Sequence, residues 1–259
     1  MRFVRVLNRE IQESKRTLFI YSLTIFLVLF FQEMVGAFVT RMTGNIISDS
    51  VYEGSYPGFL FLGGFIITSM VFAQDMFSRT GQHNWLTLPA STEEKFLAKA
   101  LLTAIAYPLV LTVIFTLSSV VIEALALLFF GNPFTMFNPF GPYVGKMILH
   151  FIATQSIFLL GATYFRKAHF VKTVLALGLI GFALSILATI FVRIVFAPYV
   201  TGMFGFHISL NAYDFQNHAN LVTIGEWIGN IVYWALLPAF CWFTAYLRVK
   251  EVQSTDAVQ

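Results

Sequence analysis

The chain has 259 residues, of which 58% are hydrophobic and only 11% are charged. Soluble domains carry about 25% charged residues, so this composition excludes an ordinary soluble protein and predicts an all-α, polytopic membrane protein. Because crossing the bilayer uses nearly all of the length, we expect a single transmembrane domain, residues 1–259, with no soluble catalytic domain. The small net charge of +3 indicates no nucleic-acid partner.

The first 17 residues have the pattern of an amphipathic helix. Phe3, Val4, Leu7 and Ile11 share one helical face, and most of the basic residues lie on the others. This pattern predicts a helix that lies along the membrane surface with its basic face toward the head groups. The alternative is a charged leader that only sets the orientation of the chain.

Six apolar runs are long enough to cross a membrane, for which about 20 residues suffice. They cover approximately residues 18–39, 56–73, 98–130, 143–164, 171–196 and 224–247. The third run is long for one crossing and short for two, so we expect one tilted helix with a kink near Pro108. Residues 197–223 contain no Lys or Arg and are fairly apolar, which predicts a re-entrant or interfacial segment.

The basic residues predict the orientation of the chain. Thirteen of the 16 Lys and Arg residues lie in the N-terminal segment, the loops after spans two and four, and the C-terminal tail. The exceptions are Arg41, Lys146 and Arg193. Because basic residues concentrate on the cytoplasmic side, both termini are predicted to be cytoplasmic.

The segment 75–99 is the longest water-facing stretch between two apolar runs. Within it, Ser91 and Glu94 have the spacing of a capping box, and Glu93 with Glu94 places negative charge at the positive end of a helix dipole. Just before the cap the loop presents an unusual group of apolar residues: Trp85, Leu86 and Leu88. Such a group in a polar loop favours a docking surface for a partner.

Four ionisable residues lie in or at the ends of apolar runs. They are Glu33, Glu123, Arg193 and Glu226. Charges within a membrane are costly, so each should face water or a partner. One interpretation is a gate on the outer side in which Arg193 pairs with the glutamates. The other is that each residue lies near a helix end and reaches the head groups.

The sequence offers no catalytic constellation, and we expect neither an enzyme nor a cofactor bound by this chain. The single cysteine, Cys241, excludes an internal disulfide. His207, Asp214 and His218 match no familiar metal-ligand spacing, so we expect no metal site. An intramembrane enzyme is the least favoured class, because spans four and six hold few polar residues.

The topology, the amphipathic N-terminal segment and the outer segment before the last span resemble those of type-2 ABC exporter permeases. In that family a leu-pro-x-ser loop commonly follows the second span and runs into a Lys-containing start of the third. Here Leu88-Pro89-Ala90-Ser91 is followed by Glu94-Lys95-Phe96-Leu97-Ala98-Lys99. Residue similarity is confined to approximately residues 84–101, and topology extends the resemblance to most of the chain.

The resemblance implies a half-transporter in a bacterial plasma membrane that forms a homodimer or heterodimer and binds a separate ABC ATPase subunit. The loop from Arg79 to Lys95 would be the coupling helix. Its docking residues would be Trp85, Leu86 and Leu88, beside Pro89 and Ser91, with Glu93, Glu94 and Lys95 at the rim of the ATPase groove. ATP and Mg would be bound by the ATPase, and membrane lipids would surround the permease.

Two functions of different classes remain open from the sequence. The first is export of an amphipathic or lipid-like substrate, which the Phe-rich composition favours, with 30 Phe residues and few charges within the spans. The second is a non-transporting membrane scaffold or sensor that recruits a cytosolic protein through the 75–99 loop.

Overall fold

The computed structural model describes residues 2–43, 51–77, 90–131, 134–195, 200–201, 207–208 and 219–256. These ranges contain six long helices and one pair of two-residue strands. The elements are α1 (Arg2–Thr43), α2 (51–77), α3 (Thr92–Phe130), α4 (Pro142–Tyr164), α5 (His169–Val195), β1 (Val200–Thr201), β2 (His207–Ile208) and α6 (219–256). The strands pair antiparallel.

In the described part of the chain, six helices are long and apolar enough to cross a membrane, as the sequence predicts. The apolar stretches are Leu18–Thr43, Val51–Ala73, Thr92–Phe130, Pro142–Tyr164, His169–Phe191 and Glu226–Glu251. The second begins before the predicted Tyr56. The third is one continuous helix, as the length of its apolar run predicts.

Helix α1 runs without a break from Arg2 to Thr43. The predicted amphipathic segment and the first span therefore belong to one helix, and the position of that segment on a membrane surface stays a prediction. The predicted re-entrant segment lies mostly outside the described residues. Its described parts are the strand pair and the first turns of α6.

Three of the helices are each interrupted by a π turn, at Phe59–Gly63 in α2, Leu102–Ala106 in α3 and Val232–Leu236 in α6. The turns in α3 and α6 each end two residues before a proline, Pro108 and Pro238. A proline has no N–H for the carbonyl four residues earlier, and its ring crowds that carbonyl. A π turn places one extra residue in the helical turn before the proline, which relieves this conflict.

Helices α2, α3 and α4 form the centre of the bundle. Helix α1 packs on α3, α6 packs on α4, and α5 packs on α4 and on the last part of α2. One end of the bundle contains Thr92 and the last residues of α6. We call it the terminal end. The opposite end, with Phe130 and Pro142, is the distal end.

The bundle has two apolar cores. The distal core lies between α1, α2, α3 and α4 and includes the buried residues Leu29, Tyr56, Phe115 and Phe151. The terminal core joins α2, α3, α4 and α6. In α5, by contrast, every described side chain except Thr173 is at least partly exposed, so this helix lies on the outside of the bundle.

Candidate functional site

Helix α3 begins at the terminal end with the capping box that the sequence predicts. The backbone N–H of Glu94 donates to the Ser91 hydroxyl at 3.2 Å, and the Ser91 N–H donates to the Glu94 carboxylate at 3.0 Å. Ser91 adopts an extended backbone (φ −68°, ψ 156°), as an N-cap residue does. The start of α3 is therefore stabilised by hydrogen bonds between residues that are close in the sequence.

The predicted coupling residues fall into two groups. Ser91, Glu93, Glu94 and Lys95 are described, whereas Arg79, Trp85, Leu86, Leu88 and Pro89 lie outside the described residues. Glu93 accepts a hydrogen bond from the Tyr246 hydroxyl at 3.1 Å. Lys95, expected at the rim of a partner groove, is only 5% exposed.

Aromatic contacts tie the start of α3 to two other helices. The Phe96 ring lies 5.7 Å from the Phe72 ring of α2 and 5.8 Å from the Tyr246 ring of α6, centroid to centroid. Together with the bond from Tyr246 to Glu93, these contacts make the ends of α2, α3 and α6 one packed unit.

Further into the membrane, two tyrosines meet the π turn of α2. The Tyr107 hydroxyl donates to the Phe59 carbonyl at 2.7 Å, and the Tyr21 hydroxyl lies 3.2 Å from the same carbonyl. The two hydroxyls are 2.8 Å apart. Gly63 leaves the room for both, because a Cβ there would overlap the two tyrosine side chains. The junction joins α1, α2 and α3 through neutral polar groups.

Gln155 of α4 forms a second polar junction. Its side chain is fully buried, and its amide nitrogen donates to the Thr103 hydroxyl at 3.0 Å and to the Thr68 hydroxyl at 3.3 Å. Thr103 lies in the π turn of α3. The Gln155 carbonyl oxygen and the buried Ser69 hydroxyl have no hydrogen-bond partner among the described residues. A buried amide that lacks a hydrogen-bond partner lowers the stability of the fold, so this junction contributes little to holding the helices together.

At the distal end two of the four predicted membrane charges come together. Glu123 is 2% exposed and accepts a hydrogen bond from the Tyr52 hydroxyl at 3.0 Å. Glu33 of α1 is half-buried and close enough to Glu123 for their charges to interact. Arg193 and Glu226 are exposed on α5 and α6, and among the described residues no ion pair joins Arg193 to a glutamate.

The chain between α3 and α4 folds back into the distal end of the bundle. Phe137 is 1% exposed, and its ring lies 5.3 Å from the Tyr56 ring and 5.6 Å from the Phe115 ring. Its backbone N–H donates to the Ser119 hydroxyl at 3.3 Å, and the Thr135 N–H donates to Glu123 at 3.2 Å. We call residues 134–138 the distal strap. It closes the space between α2 and α3.

The third π turn, in α6, faces His150 of α4. The His150 Nδ1 atom lies 3.1 Å from the Tyr233 hydroxyl, and its ring lies 4.8 Å from the Trp234 ring. Beyond this contact toward the distal end, the described side chains of α6 from 223 to 232 are all exposed. The distal parts of α5 and α6 are therefore the least packed parts of the bundle that the structure describes.

Most of the buried polar side chains that the structure describes carry hydroxyls. In the described part of the chain, no group of three His, Cys, Asp or Glu side chains could hold a metal ion. The Thr163 and Thr173 hydroxyls donate to carbonyls of their own helices, whereas the Gln155 amide joins α4 to hydroxyls of two other helices. Such groups position helices and release them at small energetic cost, about 0.6 kcal/mol for an average bond in a membrane bundle.

Sequence reasoning did not single out Tyr52, Tyr107 or Phe137. Tyr52 and Tyr56 have the i, i+4 spacing of one helical face, and Tyr107 directly precedes Pro108, where the sequence predicts a kink, so both positions carried a local signal. Phe137 precedes Asn138-Pro139, which indicates a turn and says nothing about burial.

No protein-family model matches the chain, and no match was found among curated proteins or solved structures.

Proposed function

We propose that this chain is the membrane-spanning permease subunit of an ATP-driven exporter of the type-2 ABC class. In this proposal it acts as a homodimer or heterodimer with a separate ATPase subunit in a bacterial plasma membrane. The cargo is an amphipathic or lipid-like molecule that moves outward. ATP and Mg are bound by the partner, so this chain has no catalytic residue of its own.

The observation that carries the proposal is the capped and packed start of α3. The segment 78–89 joins the end of α2 directly to that start. A partner that grips the segment therefore acts on α2 and α3. Each of these helices contains a π turn, a feature that is frequent at functional sites in helices.

The distal strap supports a gated path between the same two helices. Tyr52 of α2 and Glu123 of α3 are joined by one hydrogen bond, and the backbone N–H of Thr135 in the strap donates to the same carboxylate. Movement of α2 away from α3 would break the first bond and uncover Phe137. In our proposal this step opens the distal end, which is the outer end by the positive-inside rule.

The proposed cargo and oligomer follow from the same bundle. The interior between α2 and α4 is lined by phenylalanine, with the Phe65 and Phe158 rings stacked 4.0 Å apart, which suits an apolar cargo portion. Gln155 offers one free carbonyl for a polar portion. The exposed distal half of α5 offers a face for the second permease copy.

A purification experiment tests the proposal. The protein is isolated from its native membrane in mild detergent, co-purifying chains are identified by mass spectrometry, and ATP hydrolysis is measured. We expect a stoichiometric ATPase, and we expect Trp85→Ala with Leu88→Ala to reduce its recovery at least tenfold because two apolar anchors are lost.

The matched control changes the same residue types elsewhere. Leu62 and Trp227 are 58% and 68% exposed on α2 and α6, so Leu62→Ala with Trp227→Ala should leave ATPase recovery unchanged. Recovery of an unrelated cytosolic protein through the same loop, without ATP hydrolysis, would favour the scaffold function. Unchanged ATPase recovery in the loop variant would show that the docking surface lies elsewhere.

A further inference from the structure

The connection between α4 and α5 is strongly basic. From Tyr164 to Lys172 the chain carries three cations, Arg166, Lys167 and Lys172, and no carboxylate. All three side chains are exposed. The end of α6 adds Arg248, whose position is given by a ring contact with α4. We call these four residues the α4–α5 basic patch.

Two of the four cations are held against aromatic rings at the end of α4. The Lys172 ammonium lies 5.9 Å from the centre of the Phe165 ring, and the Arg248 guanidinium lies 5.8 Å from the centre of the Tyr164 ring. The two rings touch edge to face, with their centroids 5.6 Å apart. Lys172 from α5 and Arg248 from α6 are thus brought to one place, although the two residues are far apart in the sequence.

Among the described residues, the charge of the patch is only partly balanced. Arg248 forms an ion pair with Glu251, which is one carboxylate for four cations. The buried Nε of Arg248 has no acceptor among the described residues. A phosphate group would supply acceptor oxygens to arginine and lysine in this arrangement.

The depth of the patch favours a lipid over a soluble anion or a soluble protein. Tyr164 ends one span, Lys172 lies in the first turn of the next, and Arg248 lies in the last turn of a third. Residues at these positions lie at the level of the lipid head groups. Helix α5 is exposed around the patch, and Val171 and Leu175 are 55% and 61% exposed. A lipid can therefore approach from the side, whereas a soluble protein would first have to displace lipid.

We propose that the α4–α5 basic patch binds the head group of an anionic phospholipid, with the acyl chains along Val171 and Leu175. The phosphate accepts hydrogen bonds from Lys172 and from Arg166 or Lys167, and Arg248 closes the site from α6. This site does not depend on transport or on an ATPase. Its role is to hold the exposed helix α5 against α4 at Gly161, where a Cβ would overlap Thr173.

Lipid titration monitored by native mass spectrometry tests the site. The purified full-length protein in neutral detergent is titrated with phosphatidylglycerol or phosphatidylcholine of identical acyl chains. We expect the anionic lipid to bind more tightly. We expect Arg166→Gln with Lys167→Gln and Lys172→Gln to weaken its binding roughly a hundredfold, since each basic residue near the surface is worth about a factor of five. Phosphatidylcholine has the same phosphate but no net charge, so its binding should fall much less and the preference for the anionic lipid should be lost.

Two controls show that the effect is local. Lys146→Gln with Arg193→Gln removes two exposed cations at the distal end and should leave the lipid preference intact. Arg166→Lys with Lys167→Arg keeps the charge and should bind nearly as the wild type does. If the triple variant does not purify, Arg166→Gln with Lys167→Gln is used, and roughly a 25-fold loss is expected.

Three outcomes would overturn the proposal. The first is equal binding of the anionic lipid to the triple variant and the wild type. The second is displacement of the lipid by millimolar inorganic phosphate, which would indicate a site for small anions. The third is loss of a co-purifying protein in the triple variant with lipid preference retained, which would indicate a protein-docking surface.

Discussion

Two buried serines illustrate how single hydrogen bonds set the energetics of this bundle. Ser119 is fully buried, donates to the Thr116 carbonyl and accepts the backbone N–H of Phe137. Ser69 is 2% exposed, and its hydroxyl has no partner among the described residues. A hydroxyl that satisfies a buried N–H stabilises the fold, whereas one without a partner opposes folding.

The same substitution should therefore have opposite effects at the two serines. Ser119→Ala leaves the Phe137 N–H without an acceptor and should destabilise the protein by about 1–3 kcal/mol. Ser69→Ala removes an unsatisfied hydroxyl and should be neutral or stabilising by about 1 kcal/mol. Thermal unfolding of both variants in the same detergent measures the difference. Equal melting temperatures would show that at least one of the two hydroxyls does not have the environment described.

At the scale of elements, the distal strap closes the bundle. A loop backbone inside a membrane protein must bond its N–H groups to other groups of the protein. The strap does so through Glu123 and Ser119, both on α3. Its apolar contacts are made by Phe137 with α2 and α3. The strap thus depends on the spacing of these two helices.

Phe137→Ala should open the distal end. Removing this buried ring leaves a cavity and should cost about 3–5 kcal/mol of stability. In liposomes it should also raise the leak of a small dye in the absence of nucleotide. Phe140 lies in the same loop and is 94% exposed, so Phe140→Ala is the matched control and should change neither measurement. If the Phe137→Ala variant is destabilised but shows no leak, the strap stabilises the fold and does not close the proposed path.

At the scale of the whole molecule, packing is uneven. The terminal core joins four helices, whereas α5 and the distal half of α6 lie outside both cores. The proposed partner segment is next to the well-packed terminal end. A rigid terminal unit that transmits motion to the less packed α5 and distal half of α6 fits the proposed transport cycle.

The predicted orientation of the molecule can be measured by cysteine labelling in intact cells. Cys241 is buried, so the native thiol should not react with a membrane-impermeant maleimide. We expect Phe140→Cys, at the exposed distal end, to react in intact cells. Lys250→Cys, near the end of α6, should react only after permeabilisation because basic residues favour the cytoplasmic side. The reverse labelling pattern would show that the protein has the opposite orientation in the membrane and that the proposed direction of transport is wrong.

The six membrane helices and the cap of α3 were determined by the sequence alone, because both depend on residues that are close in the chain. An apolar run of sufficient length forms a helix in a membrane, where every backbone group needs an internal bond. The Ser91–Glu94 box involves two residues that are three positions apart. The π turns of α3 and α6 are also local in origin, since each lies just before a proline, although the sequence indicated only a kink near Pro108.

The contacts of the distal end were decided only by the tertiary structure. Tyr52 and Glu123 are 71 positions apart, and the partner of a glutamate in an apolar run depends on which helices become neighbours. The same holds for Lys95, a residue expected at a rim that becomes buried when α2, α4 and α6 pack around α3. In Phe137-Asn138-Pro139-Phe140 two equal side chains flank one turn. Only the space between α2 and α3 determines that Phe137 is buried and Phe140 is exposed.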